Sequence, residues 1–346
     1  MSSTPVAGAV RPGHAAPSRR RVPRLDAKYL PVAVTISLFV AMASFGSVFY
    51  PGFFSAQVFL NLLIDNAFLC IVAVGMTFVI LSGGIDLSVG SVIALTTMVS
   101  ASLVEQHHWP VGLVLATVLL MGTGFGALMG VLIQRFRLQP FIVTLAGMFL
   151  ARGLCYLISI DSISIGNEFY SSMAQWRIPV WGEGASISIG ALLALGIVAL
   201  AIYIAHFTEF GRTVYAIGGS ESSAVLMGLP VARTTVLVYT LSGFCSALGG
   251  VVFTLYMQSG YGLHAMGLEL DAIAAVVIGG TLLTGGVGYV VGTLFGVLIL
   301  GIIQTLIMFD GSLSSWWTRI VIGALLFVFC LLQRAFEAGR TKRGVG

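Results

Sequence analysis

One carboxylate, Asp86, lies between two long apolar runs in the stretch Val79-Ile-Leu-Ser-Gly-Gly-Ile-Asp-Leu-Ser-Val-Gly-Ser-Val-Ile-Ala-Leu95. Glycines and serines interrupt the helical pattern around this acid. An acidic residue inside a bilayer is costly and by default marks a functional site. Interrupted backbone at membrane depth is tolerated only where it is packed in protein or lines a water-filled cavity. The stretch therefore predicts a protein that handles a polar solute within a membrane.

The composition places this stretch in a polytopic membrane protein. Of the 346 residues, 58% are hydrophobic and only 9% are charged, and the mean hydropathy is +1.01. We expect an all-α protein of about ten transmembrane helices, because each span needs about 20 apolar residues. Glu269, Asp271 and nearby glycines cut the eighth span short. The predicted spans are 30–50, 62–82, 87–104, 111–134, 140–159, 186–206, 235–256, 269–284, 289–308 and 317–333.

Basic residues predict the orientation of these spans. With a cytoplasmic N-terminus, the cytoplasmic segments hold fourteen of the 17 lysines and arginines, as the positive-inside rule requires. Residues 1–28 then form a disordered basic tail near anionic lipid, 29–335 the transmembrane domain, and 336–346 a second cytoplasmic tail. No aromatic residue interleaves the arginines of the first tail, so we expect no nucleic-acid partner.

The two halves of the chain contain similar interruptions. Gly83-Gly84-Ile-Asp-Leu-Ser in the first half has a counterpart in Gly279-Gly280-Thr-Leu-Leu-Thr-Gly-Gly in the second, each between apolar runs. We expect the two segments to belong to spans of opposite direction. Such an arrangement is typical of an inverted repeat whose cavity lies near the membrane midplane.

The chain lacks the motifs of an enzyme. Its two lysines, Lys28 and Lys342, do not follow the glycine pattern of a nucleotide-binding loop, and we find no zinc-protease or serine-hydrolase motif. We therefore predict no catalytic residue, metal site or cofactor. The cysteines fall in apolar runs and are expected to be packing residues: Cys70, Cys155, Cys245 and Cys330.

The energy source is expected to be another subunit, because few embedded ionisable residues are available for an ion relay. An ion-coupled secondary carrier is the alternative, and ion-driven uptake by this chain alone would select it. The long cytoplasmic loop, 207–233, supplies a contact for such a subunit. Ser220 is a predicted N-cap with Glu221 in the first turn. Ala224, Val225 and Met227 would then form an apolar stripe. Gly228 and Pro230 would end the helix.

This short helix either docks into a partner's groove or lies on its own bundle.

The sequence resembles a known family, the permeases of bacterial ABC sugar importers such as those for ribose, xylose and arabinose. The resemblance covers roughly residues 30–335. Its motifs are Gly84-Ile-Asp-Leu-Ser-Val-Gly-Ser91, Tyr215-Ala-Ile-Gly-Gly-Ser-Glu-Ser-Ser-Ala-Val-Leu-Met-Gly228 and Glu269-Leu-Asp-Ala-Ile-Ala-Ala-Val-Val-Ile-Gly-Gly-Thr281.

Within that family the sequence is most similar to a permease of the galactofuranose importer. The motifs that suggest it are Asn66-Ala-Phe-Leu, Gly75-Met-Thr-Phe-Val-Ile-Leu-Ser-Gly-Gly84 and Phe309-Asp-Gly-Ser-Leu-Ser-Ser-Trp-Trp317. The resemblance implies a bacterial inner-membrane location and two permeases, identical or different, around one pathway. It also implies a cytoplasmic ABC ATPase and a periplasmic or lipid-anchored sugar-binding protein. Another pentose or furanosyl solute, or a branched-chain amino acid, is the alternative cargo.

The resemblance implies a role for one loop, and polarity within the apolar spans indicates candidate pathway residues. The loop 220–228 would be the coupling helix, with the ATPase contacted by Ser220, Glu221, Leu226, Met227 and Gly228. Polar groups in apolar spans are the candidate pathway residues: Asn66, Thr77, Ser82, Asp86, Ser88, Gln304 and Thr305. For Asp86 we favour capping the broken helix or holding Ser88 and Ser91, because a neutral sugar needs no counter-charge.

Overall fold

The computed structural model describes residues 30–181, 184–314 and 316–343, and the basic tail 1–28 lies outside this part. Helices dominate it, and the strands are short. The helices are α1 Leu30–Phe49, α2 Ala56–Asp65, α3 Ala67–Leu81, α4 Val89–Ala101, α5 Val111–Phe136, α6 Pro140–Ile158, α7 Glu168–Gln175, α8 Ile189–Phe207, α9 Glu209–Gly219, α10 Glu221–Leu226, α11 Val231–Met257, α12 Leu268–Ile278, α13 Val290–Asp310 and α14 Trp316–Arg343. The strands are β1 Ile163–Ser164, β2 Arg177–Trp181, β3 Ala185–Ser188 and β4 Ser259–Gly260.

The prediction of an all-α polytopic membrane protein is confirmed. Each predicted span overlaps a described helix, because runs of apolar residues satisfy their backbone groups internally as helices. Seven described helices are long and apolar enough to cross a membrane, or eight if the bent pair α2–α3 counts as one span. The number of about ten crossings stays a prediction.

Three spans differ from the prediction in their boundaries. The second span begins at Ala56 and bends by 57° at Asn66, where α2 ends and α3 begins. The eighth ends at Ile278 and not at residue 284, because its glycines stop the helix. At about 1.5 Å per residue, α12 is too short to cross a bilayer. The last helix continues to Arg343, so most of the predicted second tail is helical.

The long helix α11 lies at the centre of the bundle, and α3, α4 and α5 pack against it. Its contacts with α5 are close because glycines face each other. A Cβ on Gly126 would lie 2.2 Å from the Tyr239 carbonyl oxygen, and one on Gly243 would lie 2.3 Å from the Gly122 carbonyl oxygen. Small residues let membrane helices approach in this way. The core is the α3–α11–α12–α13 region, where almost every residue of α3 is buried.

The two ends of the bundle differ in structure. Residues 208–230 connect α8 to α11 at one end, which we call the coupling end. At the other, the hairpin end, β2 pairs antiparallel with β3, and β1 pairs antiparallel with β4. Arg152 of α6 fixes the segment after β4, because its Nη1 donates to the carbonyl oxygens of Gly262 and His264, each at 2.6 Å.

The predicted opposite direction of the two interrupted segments is wrong. Thr77 of α3 contacts Thr293, near the start of α13, while Asn66 at the start of α3 faces Gly301, so α3 and α13 are antiparallel. A Cβ on Gly292 would approach the Gly279 carbonyl oxygen and one on Gly296 that of Ala275, so α12 and α13 are also antiparallel. Helices α3 and α12 therefore run in the same direction, and these segments are not inverted copies.

Candidate functional site

Asp86 lies in the first interruption, residues 82–88, between α3 and α4. The side chain is fully buried. Its Oδ1 accepts hydrogen bonds from the backbone N–H of Ser88 at 2.9 Å and from the Ser88 hydroxyl at 2.6 Å, and its Oδ2 accepts one from the Ser242 hydroxyl at 2.7 Å. The carboxyl group thus caps the start of α4 and ties it to α11.

This arrangement agrees with the expected capping role of Asp86, with two differences. Ser91 does not bond Asp86, because its hydroxyl donates to the Ser88 carbonyl oxygen at 2.6 Å. No local pattern indicates Ser242 as a partner of Asp86, because it lies 156 residues away in the chain. A buried carboxyl that receives three hydrogen bonds is a well-satisfied structural group.

Two other predicted pathway residues are buried in the core, and one of them, Thr77, joins two helices. The Thr77 hydroxyl lies 2.6 Å from the Ala73 carbonyl oxygen and 2.8 Å from the Thr293 hydroxyl, so it donates to the first and accepts from the second. Asn66 is buried at the bend between α2 and α3, where its Nδ2 donates to the Leu62 carbonyl oxygen at 2.9 Å.

The remaining predicted pathway residues are partly or fully exposed. The Ser82 hydroxyl ends α3 by donating to the Val79 carbonyl oxygen at 2.8 Å. Thr305 donates to the Gly301 carbonyl oxygen at 2.9 Å, and Gln304 beside it is exposed. Within the described part of the chain, the side-chain hydrogen bonds of this predicted set join only Asp86 to Ser88. The pathway assignment stays a prediction.

The second interruption, residues 279–289, lies against the first. The backbone N–H of Gly286 donates to the Leu81 carbonyl oxygen at the end of α3, at 2.9 Å. Glycine residues turn the chain here, since Gly285 and Gly286 both have positive φ, of 86° and 72°. The two interrupted segments that the sequence identified are therefore brought together in space at the coupling end.

The loop helix α10 forms as predicted and is capped at both ends. The Ser220 hydroxyl accepts a hydrogen bond from the backbone N–H of Ser223 at 3.3 Å, and Glu221 occupies the first turn. Gly228 ends the helix with φ of 75°. Ser220 also ends α9, where its N–H donates to the Ala216 carbonyl oxygen at 3.0 Å. One residue therefore separates two helices.

An exposed apolar patch covers the free side of α10. Val225, Leu226 and Met227 are 58%, 87% and 66% exposed, and we call them the α10 patch. The sequence predicted one apolar stripe of Ala224, Val225 and Met227. Ala224 does not belong to the exposed surface, because it is fully buried against Ile217. The helix rests on its own bundle through Ala224 and exposes the α10 patch. Docking of the α10 patch into a partner stays a prediction.

The fold and the site together define a membrane transport protein with interrupted helices and a loop helix that exposes a contact surface. The chain belongs to the family described as branched-chain amino acid transport system / permease component, whose family model matches residues 58–330. Its relatives are named as an inner membrane ABC transporter permease, as fructose and ribose import permeases, and as an L-arabinose ABC transporter permease, which confirms the predicted resemblance.

Three relatives show the extent of this similarity. The inner membrane ABC transporter permease protein YjfF of Escherichia coli (strain K12) is 53% identical over 88% of this chain and 92% of its own length. The fructose import permease protein FruG of Bifidobacterium longum is 42% identical, covering 91% and 94%. The ribose import permease protein RbsC of Haemophilus influenzae is 40% identical, covering 82% and 87%. No solved structure matches the chain significantly.

Proposed function

We propose that this chain is the membrane-spanning permease subunit of an ATP-driven sugar importer, itself without catalytic activity. The observation that carries the proposal is the α10 patch, in a chain whose relatives are import permeases. Exposed apolar side chains in a capped, rigid helix are typical of a surface that fits a groove on another protein. The partner that fits the family is a cytoplasmic ABC ATPase, and its ATP hydrolysis supplies the energy.

The proposed complex has further subunits on both sides of the membrane. A second permease, identical or different, completes the pathway, and a periplasmic or lipid-anchored sugar-binding protein delivers cargo at the hairpin end. The coupling end then faces the cytoplasm of a bacterial cell, with both chain termini on that side of the inner membrane. The bias of lysines and arginines supports this orientation.

The proposed cargo is a neutral monosaccharide, and galactofuranose is our specific proposal. The names of the relatives support a monosaccharide, because they refer to fructose and ribose. The motifs at Asn66, 75–84 and 309–317 support galactofuranose. A pentose or another furanosyl solute is the alternative.

Transport is proposed to occur by alternating access. ATP binding moves α10, the interruptions 82–88 and 279–289 repack, and polar groups that are buried in the described conformation become accessible to sugar. Interrupted segments suit this role because they lack the complete hydrogen-bond ladder of a helix. Asp86 keeps α4 attached to α11 during the movement.

A pair of matched variants tests the docking surface. We expect Leu226→Asp with Met227→Asp to abolish ATP-driven import and ATPase association, because desolvating two carboxylates in an apolar groove is unfavourable. Folding should persist, since both side chains are exposed. The control is Leu138→Asp, an exposed leucine in the α5–α6 loop at the same end of the bundle. Retained uptake by the double variant would remove the coupling assignment.

Cargo identity is tested in liposomes that contain the permease with the ATPase and the binding protein encoded beside it. Uptake of labelled galactose, ribose, fructose and arabinose is compared at equal concentration, with and without ATP. Galactose, which includes the furanose form, is expected to be transported best. Preference for another sugar would overturn the galactofuranose proposal alone. Accumulation by the isolated chain under an ion gradient would overturn the ATP-driven proposal and select a secondary carrier.

A further inference from the structure

The end of α9 packs against the end of α3 and the second interruption without any side chain in the contact. A Cβ built on Gly218 would lie 1.8 Å from the Leu81 carbonyl oxygen and 2.3 Å from the Gly286 nitrogen. Both distances are far below van der Waals contact, so only glycine fits here unless the backbone moves. The backbone of α9 therefore touches the end of α3 at Gly218, and it touches the second interruption at Gly218 and at the backbone of Gly219.

The two interruptions also contact each other at this position. A Cβ on Gly285 would lie 2.9 Å from the Gly83 nitrogen and 3.0 Å from the Gly218 Cα. The backbone hydrogen bond from Gly286 to Leu81 closes the same contact. We call the residues of this three-segment contact the glycine junction: Gly83, Gly218, Gly285 and Gly286.

A side chain of α9 adds a specific tie to the second interruption. The Tyr215 hydroxyl donates to the Gly288 carbonyl oxygen at 2.8 Å. Tyr215 lies almost one turn before Gly218, so α9 holds the second interruption at two points along its length. This hydrogen bond is independent of the close backbone approach.

Helix α9 is connected directly to the α10 patch. Ser220 alone separates α9 from α10, and it caps both helices. Ala224 of α10 is buried against Ile217 of α9, one residue before Gly218. A force applied to the α10 patch thus reaches Gly218 through two short helices that are packed together.

We propose that the glycine junction is the mechanical link through which displacement of α10 repacks both interrupted helices at once, and that Gly218 and Tyr215 are positioning residues for transport. Close-packed backbones transmit displacement because no flexible side chain lies between them to absorb it. Chains of packed groups and rigid secondary structure of this kind can carry coupling between distant sites. The inference rests on the proposed function, because it assumes that a partner moves α10.

The neighbouring glycine provides a matched control. A Cβ on Gly219 would have open space around it, so Gly219→Ala makes the same chemical change one residue away without a clash. The complex of permease, ATPase and binding protein is reconstituted with each variant, and sugar uptake and ATP hydrolysis are measured together. We expect Gly218→Ala to lower the sugar transported per ATP about tenfold, within the range of known coupling changes. Gly219→Ala should retain the wild-type ratio.

The ratio of sugar transported to ATP hydrolysed distinguishes a coupling defect from a folding defect. Loss of folded complex lowers uptake and hydrolysis together and leaves this ratio unchanged. Tyr215→Phe gives a second test that leaves packing intact. Its ratio should fall about fivefold, the effect of one lost hydrogen bond. A wild-type ratio in both Gly218→Ala and Tyr215→Phe, measured on the fraction of protein that is assembled into the complex, would overturn the proposed role of the glycine junction. Failure of the wild-type complex to transport sugar would instead overturn the proposed function.

Discussion

Substitutions of Asp86 distinguish a structural role of its side chain from direct contact with the substrate. The carboxyl group is fully buried and accepts three hydrogen bonds, from the N–H and hydroxyl of Ser88 and the hydroxyl of Ser242. Asp86→Ala removes all three acceptors. Asp86→Asn keeps the shape and one oxygen for Ser88, while the new amide can donate to the Ser242 hydroxyl. If Asp86 is a scaffold, only the alanine variant should be severely affected.

The structure sets the size of the two effects. An unpaired buried donor costs about 1–3 kcal/mol, so three of them would cost about 3–9 kcal/mol. The Ser242 hydroxyl can rotate to a carbonyl oxygen of its own helix, as Ser246 does with the Ser242 carbonyl, and the Ser88 hydroxyl is also free to rotate. The Ser88 N–H has no such freedom and sets a lower limit of about 1–3 kcal/mol for Asp86→Ala. Asp86→Asn should cost about 1 kcal/mol or less.

The buried cysteines offer a direct assay. Cys70, Cys155 and Cys245 are buried, so a thiol-reactive dye reports unfolding in detergent as temperature rises. A detergent-denaturation titration then gives the free energy of unfolding for each variant. Sugar uptake by the reconstituted complex is measured in parallel. We expect Asp86→Asn to unfold close to the wild type and to transport sugar, and Asp86→Ala to unfold earlier.

Two outcomes would contradict this reasoning. If Asp86→Asn unfolds like the wild type and transports no sugar, the acid has a role beyond hydrogen bonding, in the pathway or in gating. If Asp86→Ala is as stable as the wild type, the three contacts do not hold α4 to α11. Ser246→Ala is the control, because its hydroxyl bonds only within α11 and its loss should change little.

Further predictions concern the hydrogen bonds between helices. Thr77→Val should destabilise the protein by about 1 kcal/mol, because buried interhelical bonds in membranes contribute about that much; the double variant with Thr293→Val should recover part of the loss in a double-mutant cycle. Arg152→Ala should raise hydrogen exchange in residues 258–267, because two bonds from a charged donor, each worth about 1.5–3 kcal/mol, are lost. Exchange unchanged in that segment would show that Arg152 does not hold it.

The sequence predicted local features well. The apolar runs gave the helices, the glycines gave both interruptions, and Ser220 with Gly228 gave the limits of α10. These features depend on neighbours a few residues away, through capping groups and backbone conformations that the residue types themselves restrict. The bend at Asn66 was missed because no glycine or proline marks it.

Burial in the bundle could not be predicted from hydropathy. Ile80 and Leu81 of α3 are fully buried, whereas Leu120 and Leu128 of α5 are 73% and 53% exposed, although both helices are strongly apolar. In a membrane, apolar side chains that face lipid and those that face protein look alike in sequence. The pathway residues chosen by polarity alone therefore fell in several different places.

The amino-acid sequence by itself determined that this is a helical membrane protein with two glycine-interrupted segments and a capped loop helix, because each of these depends on short-range chemistry. Only the tertiary structure decided that α3 and α12 run in the same direction, that Asp86 is held by Ser242, and that Gly218 touches the end of α3 and the second interruption. Those contacts join residues far apart in the chain, and they arise from how glycine and serine surfaces let particular helices approach, which no local pattern encodes.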